Sequence, residues 1–370
     1  MPKKIRKIFL IILFPIIFFG IIAVFGVVFI KINTPLAAQI TDKYLRPILG
    51  NNLVISMEKV FYNTSDKIAQ LTNRSSSFQF LNGKDGENIS GGNLDLTPIP
   101  VTYFKAQKDE GIWKNYKFST IPDKEVMAYT FVRPDSKRSF AFVTLIQLDM
   151  KELKIAAVAG KEQPSGVIGI PGPGKIPSEI AGSNRLIAAF NGGFQYKDGA
   201  YGMIVNNKTY LPLKNDLASL ISYSNGDLKL IKYEGSIPAG NVDFIRQNCP
   251  MLLENGEIVT YSDANRQLWG RTPTSSIYTW RSGVGITSNG NLIYAVGNNL
   301  IPDTLAQALK MGGAVNAMQL DINPFWVRFN TFDTKGDGTY NTSTLTKGVY
   351  DGSAQFLSGY QKDFLYVYKR

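Results

Sequence analysis

The chain has 370 residues, 44% hydrophobic and 19% charged, with 34 glycines and 12% aromatic residues. That is enough apolar material for a sizeable core, with a bias towards strands and turns, and it excludes a disordered chain. The formal charge is +11, but five basic residues and no acid fall within the first 31, leaving 35 basic against 29 acidic groups and a mild +6 elsewhere. A field so weak and so evenly spread argues against a nucleic-acid partner and leaves attraction to anionic cell-surface polymers.

Two absences restrict the chemistry further. There is no histidine, and Cys249 is the only cysteine. A Ser-His-Asp triad, a Cys-His pair, an HExxH zinc site, a four-cysteine zinc site and an internal disulfide are all excluded. Cys249 has no activating neighbour in sequence and reads as a small buried apolar residue. An enzyme with this composition must work with carboxylates, amides, arginine or a hard metal.

At the N-terminus, MPKKIRK precedes an uncharged apolar run over residues 8–30. A helix of that length crosses a hydrocarbon core of roughly 30 Å. The run exceeds the roughly 7–15 residues of a signal-peptide core, so the spacing predicts an uncleaved transmembrane anchor. The basic residues ahead of it put the N-terminus in the cytoplasm and the bulk of the chain outside a bacterial membrane. Residues 36–72 carry apolar positions at helical spacing and predict a stalk helix, and a Ser/Gly/Asn/Pro-rich stretch follows as a linker. The expected organisation is therefore 1–31 tail and anchor, 32–100 stalk and linker, and 101–370 the main domain.

From about residue 100 the text is strand-like, with runs such as VMAYTFVRP, FAFVTLIQLDM and RLIAAF bounded by turn signals. One helix stands out, PDTLAQALKMGG, with Asp303 or Thr304 able to cap its start and Gly312 to close its end. Strands with a few packed helices predict an α+β domain built on a large, mostly mixed β-sheet.

Four stretches combine turn geometry with polar groups. In LIAAFNGGF, Asn191 ends an apolar strand and Gly192 and Gly193 expose backbone N–H groups, an arrangement that suits either a tight turn or a ligand against the backbone. IRQNCPMLLENGEIV reads as ordinary hairpin structure. In WRSGVGITSNGN, Arg281 precedes a glycine-rich strand and could fork onto a phosphate or carboxylate. In MQLDINPFW, Asp321 ends an apolar strand beside Asn323 and Trp326, which suits a perturbed acid, a metal ligand or a turn cap. DTKGDGTYN lacks the ligand pattern of an EF-hand, because Lys335 stands where an acid or amide belongs, and it reads as a polar turn.

Taken in order, AAFNGGF, PMLLENGEIV, RSGVGITSNGNL and DTLAQALKMGGAVNAMQLD resemble the phosphodiester glycosidase domain over about residues 125–370. That resemblance implies that Asn191, Gly192, Gly193, Arg281 and Asp321 line one pocket, with Asn323 beside it. It implies cleavage of a glycosyl phosphodiester in a cell-surface polysaccharide or teichoic-acid-like polymer. Arg281 would hold the phosphate, and Asp321 would act as base, nucleophile or ligand to a divalent cation. The small residues that usually follow the acid in this family are replaced by Ile322, Asn323 and Pro324. The alternative is therefore a non-catalytic carbohydrate-binding or assembly module of exopolysaccharide or cell-wall biogenesis.

Overall fold

The computed structural model describes residues 77–81, 85–86, 92–166, 169–259, 266–270 and 278–370, with Ile48, Lys67 and Thr72 in isolation. All the paired strands belong to one unit, Ile68–Arg271 with Ile277–Arg370. The anchor expected over residues 8–30 and nearly all of the stalk expected over 36–72 lie outside the described residues. Among the described residues no helix is long and apolar enough to cross a membrane.

The centre of the molecule is a nine-stranded sheet. One of its inner strands is the Arg281 strand, Thr279–Thr287, flanked on one side by Leu292–Leu300 and on the other by the Asp321 strand, Ala314–Ile322. Asn289-Gly290 closes the hairpin that joins the first two, and Gly290 there has φ +85°. The helix Pro302–Met311 carries the chain from one flanking strand to the other. It begins because Pro302 suits a first helical position and the Thr304 hydroxyl accepts the Ile301 N–H at 2.9 Å. It ends at Gly312 and Gly313, the latter at φ +93°.

The SGVGI pattern of the Arg281 strand follows from its two faces. Val284 and Ile286 point into a core shared with a second sheet, where they meet Met318, Leu320, Ile187, Phe190, Phe329 and Leu365. Gly283 and Gly285 face the other way, under the helix. A Cβ on Gly283 would sit 2.8 Å from the Met318 carbonyl oxygen and 3.2 Å from Leu305 and Leu309. Gly283 thus lets Leu305 and Leu309 seat against the sheet, and Gly285 leaves room for Ala314, whose Cβ would lie 2.5 Å from one added there.

The second sheet has five strands in the order Tyr340–Ser343, Phe329–Thr334, Leu186–Asn191, Phe364–Lys369 and Leu153–Val158. Its inner face stacks on the central sheet through Phe190, Tyr294 and Phe329, with Phe190 and Tyr294 ring centroids 4.8 Å apart. Its outer face is covered by the short helices Ser178–Ala181 and Ser353–Ser358, through Ile180, Phe332, Phe356 and Phe364. A third sheet, also five-stranded, contributes the Arg246 strand, Val242–Gln247.

The expected α+β class with a mostly mixed sheet is corrected. Among the described residues there are 21 strands and three α-helices, and every strand pair in register is antiparallel. The protein is a β-dominated, layered antiparallel fold, and the transmembrane helix is not part of it as described. The physical reason is connection length: tight turns such as Asn206-Asn207, Asn255-Gly256 and Asn289-Gly290 make neighbours antiparallel. The helical crossover does run between two strands of the same direction. The Arg281 strand lies between them, antiparallel to both, so they never pair.

Because the sheet tolerates no side chain at Gly283, Gly283→Ala is expected to lower stability by about 1–3 kcal/mol. A shift of the urea midpoint without a change in slope would confirm it, and an unchanged midpoint would show that the helix can retreat freely.

Candidate functional site

The Leu186–Asn191 strand ends in the turn Asn191-Gly192-Gly193-Phe194, which lies where the second sheet, the Arg246 strand and the Asp321 strand meet. Asn191 is buried and its side chain is fully engaged. Its amide nitrogen donates to the Ser282 hydroxyl at 3.0 Å and to the Gly192 carbonyl at 3.1 Å. Its Oδ1 accepts from the Tyr294 hydroxyl and from the Arg328 backbone N–H, each at 3.0 Å. Asn191 therefore locks the two sheets together instead of presenting an amide to a ligand.

The two glycines are needed for a different neighbour. A Cβ on Gly192 would fall 2.0 Å from Asp363 Oδ2, and one on Gly193 would fall 2.7 Å from the Arg246 guanidinium. Gly193 N–H donates to Asp363 Oδ2 at 3.0 Å, and Gly192 N–H to the Asp363 carbonyl at 3.1 Å. Asp363, in turn, accepts a two-pronged bond from Arg246, Nε to Oδ2 at 2.8 Å and Nη2 to Oδ1 at 3.1 Å. The remaining Arg246 protons go to the carbonyls of Tyr201, Gln247 and Phe194. Both partners are 1% exposed, and this saturation is what a buried ion pair requires. The backbone groups that the sequence offers to an external anion are occupied by the protein's own carboxylate.

Asp321 joins the same turn from the other side. Its N–H donates to the Gly192 carbonyl at 3.0 Å, and Asn248 bridges the two segments by accepting the Phe194 N–H and donating to the Gln319 carbonyl. Its carboxylate forms a buried ion pair with Lys362, whose ammonium also lies 4.5 Å from the centre of the Trp326 ring. Ile322 N–H donates to the other carboxylate oxygen at 3.0 Å. Burial is the largest influence and pushes the Asp321 carboxyl up from its ordinary 3.8 to about 6. Lys362 and the Ile322 N–H act in the opposite direction, and neighbouring Asp363 adds to the rise.

A β-bulge aims this acid. Arg281 pairs with Ile322 and Gly283 with Gln319, so the single residue Ser282 on one strand opposes two on the other, Leu320 and Asp321. Simple alternation would put Asp321 on the face shared by Gln319 and Arg281. The bulge turns it to the face of Leu320 and Ser282, whose hydroxyl donates to the Asp321 carbonyl at 2.8 Å. Arg281 stays on the helix-covered face, where its guanidinium donates to the Leu300 carbonyl at 3.0 Å, the Trp269 carbonyl at 3.2 Å and Gln319 Oε1 at 2.6 Å.

The structure thus brings together Asn191, Gly192, Gly193 and Asp321 and holds Arg281 on the other side of the sheet. Asn323, at φ +76°, forms the turn after Asp321: it donates its N–H to the Trp280 carbonyl, and its Oδ1 accepts the Thr279 hydroxyl. Arg246, Lys362 and Asp363 escape a reading of the sequence. Arg246 is an arginine inside an unremarkable strand, and Lys362-Asp363 is a charged pair near the C-terminus with no motif around it. Burial pushes the Cys249 thiol up to about 12, so it is an inert core group. No group of three or more Cys, Asp or Glu residues that could hold a metal comes together among the described residues. The Asp321 carboxylate is met by an ammonium group, a donor set that does not suit a divalent cation.

Residues 184–321 match the family model of the phosphodiester glycosidases. The match begins just before the Leu186–Asn191 strand and ends on Asp321, so it spans the glycine turn, Arg246 and Arg281 but not Lys362 and Asp363. No curated protein matches the chain. Among solved structures, the catalytic domain of zebrafish N-acetylglucosamine-1-phosphodiester alpha-N-acetylglucosaminidase, auto-inhibited by its pro-peptide, is similar over 70% of this chain and 88% of its own, at 14% identity and a TM-score of 0.42. A Synechocystis protein described as hypothetical is similar over 67% of this chain and 63% of its own, at 14% identity and a TM-score of 0.33.

Removing one partner of the Arg246–Asp363 pair strands a buried charge, so Asp363→Ala is expected to cost about 3–5 kcal/mol. Thermal unfolding followed by circular dichroism would reveal it, and a loss below 1 kcal/mol would contradict the saturated pair. Asp321 yields a second expectation. Its folded pKa lies above the unfolded one, so its contribution to stability is present below 3.8 and is lost as pH rises through about 6. Relative to Asp321→Asn, the wild type should therefore lose stability across that window; a flat difference between pH 4 and 7 would refute the shift.

Proposed function

We propose that the chain is a glycosyl-phosphodiester hydrolase that acts outside the cytoplasm on an anionic surface polymer, a phosphodiester-linked polysaccharide or a teichoic-acid-like chain. The observation that carries this reading is the coincidence of the family match over residues 184–321 with a buried acid at its last position, Asp321, set near pH 6 and paired with a buried ammonium. A pKa in that range suits a group that must exchange protons near neutrality.

In this reading the phosphate of the substrate approaches Lys362, which exchanges Asp321 for the incoming anion. The C1–O bond then breaks with its electron pair leaving on the phosphate, through an oxocarbenium-like state. Phosphate is a good leaving group, so the bond needs little help from an acid. The oxygen of a water molecule forms the new bond to C1 and gives one proton to the freed Asp321 carboxylate, which passes it to solvent. The products are a reducing sugar and a phosphate monoester. Arg281 contributes by fastening the end of the Leu292–Leu300 strand and Gln319 beside the bulge, and not by touching the substrate. The mild positive charge beyond residue 31 favours encounter with such a polymer.

The test is release of reducing sugar from a set of glycosyl-1-phosphodiesters. Asp321→Asn is expected to reduce kcat/KM by about 10²–10⁴. The rate of the wild type should rise with pH to a plateau above about 6, and Lys362→Met should move that limb upward because Lys362 lowers the Asp321 pKa. Saturable glycan binding without turnover, indifferent to Asp321→Asn, would instead favour the carbohydrate-binding reading.

A further inference from the structure

Two buried donors, the Nε of Arg328 and the hydroxyl of Tyr360, have no hydrogen-bond partner among the described residues, and the Arg328 backbone N–H is bonded to Asn191 of the glycine turn. Each side chain belongs to a residue only 6% exposed. They touch one another, since the Arg328 guanidinium lies 4.4 Å from the centre of the Tyr360 ring and 4.6 Å from that of Tyr350 on the way to solvent. The other Arg328 nitrogens donate to neutral acceptors, Gln355 Oε1 and the Phe325 carbonyl. No carboxylate among the described residues forms an ion pair with Arg328, whereas Arg246 and Lys362 each have one. The arginine is held in place deliberately: its N–H is bonded to Asn191, and a Cβ on Gly352 would fall 2.8 Å from its Cδ.

Burial without a partner costs a hydrogen-bonding group about 1–3 kcal/mol, more when it is charged. Burial also pushes the Tyr360 phenol up, so it stays protonated and keeps an O–H to donate. An oxyanion is well suited to accept from a guanidinium and a phenol together. Tyr360 lies two residues before Lys362, and its hydroxyl senses both Asp321 and Asp363. Tyr350, 53% exposed, covers the Arg328 guanidinium from the solvent side, and the exposed Phe325 follows in the segment whose carbonyl accepts from Arg328.

We propose that Arg328 and Tyr360 form an oxyanion subsite beside Asp321 that takes a phosphoryl group, with Tyr350 as the side chain a ligand must displace. The choice of phosphoryl over other oxyanions rests on the function proposed above; the subsite itself rests on the unpartnered donors. A ligand held there would place its adjoining sugar against Tyr350 and Phe325 and its phosphate within reach of Lys362.

Inorganic phosphate titrated into the protein by calorimetry, with melting curves alongside, tests the subsite without any turnover. The wild type should bind phosphate saturably and melt higher in its presence. Tyr360→Phe removes a hydroxyl that has no partner in the free protein, so its melting temperature should be unchanged or raised, while its phosphate affinity falls about tenfold or more. Arg328→Lys, which keeps the charge but loses the fork, should weaken binding as well. Equal binding by the wild type and both variants, no binding by the wild type, or a Tyr360→Phe protein that melts lower and binds as before would each overturn the proposal. Phosphate binding that responds to these changes, without hydrolysis of any glycosyl phosphodiester, would leave the subsite standing and sink the proposed reaction. Hydrolysis whose KM ignores both changes would do the reverse.

Discussion

The buried pair between Arg246 and Asp363 is the constraint on which the rest of the site depends. It ties the third sheet to the start of the last strand of the second, and it does so through a turn that has room for no side chain at Gly192 or Gly193. With that turn fixed, the Gly192 carbonyl receives the Asp321 N–H, and Asn191 reaches Ser282, Tyr294 and Arg328. Four segments far apart in the chain are thereby held within a few bonds of one carboxylate. A pair of this kind adds little net stability over an apolar substitute, but breaking it is costly, and that cost makes the geometry specific.

On this frame the chemistry rests on small local irregularities. The bulge at Leu320–Asp321 re-aims one acid without disturbing the sheet on either side. Lys362, from the segment just before Asp363, then supplies the opposite charge, so the two ion pairs share one loop and one turn. Desolvation holds Asp321 near a neutral-range pKa even with an ammonium beside it, because the same burial that strengthens the pair also penalises the charged carboxylate. Tyr350 and Tyr360 pack on the buried guanidinium of Arg328, and Trp326 on the buried ammonium of Lys362, so that aromatic faces cover both cations.

Part of this was legible in the residues alone. An asparagine and two glycines closing an apolar strand, and an acid closing another, identify positions where backbone and side chain are under unusual demand, and those positions do meet. The demand was misassigned: the glycines accommodate Asp363 and Arg246, partners more than fifty residues away that no local pattern reveals. Arg281 was conspicuous because it precedes a glycine-rich strand, yet Gly283 there serves helix packing against Leu305 and Leu309, and Gly285 the close approach of Ala314. Which face Asp321 occupies turned on a single extra residue in the register, a property of the paired strands and not of either sequence. The mixed sheet was expected from strands with a few packed helices; the one helical crossover joins strands that an intervening antiparallel strand keeps apart, so no parallel pair results from it.

A crystal of the protein soaked with a glycosyl phosphate would test the central claim most directly, that the glycine turn is filled from within and the anion must bind on the Lys362 side of Asp321. The account predicts phosphate density in contact with Lys362, with Asp363 still bonded to Gly193 and Arg246. Phosphate bound to the Gly192 and Gly193 amides, with Asp363 displaced, would contradict it.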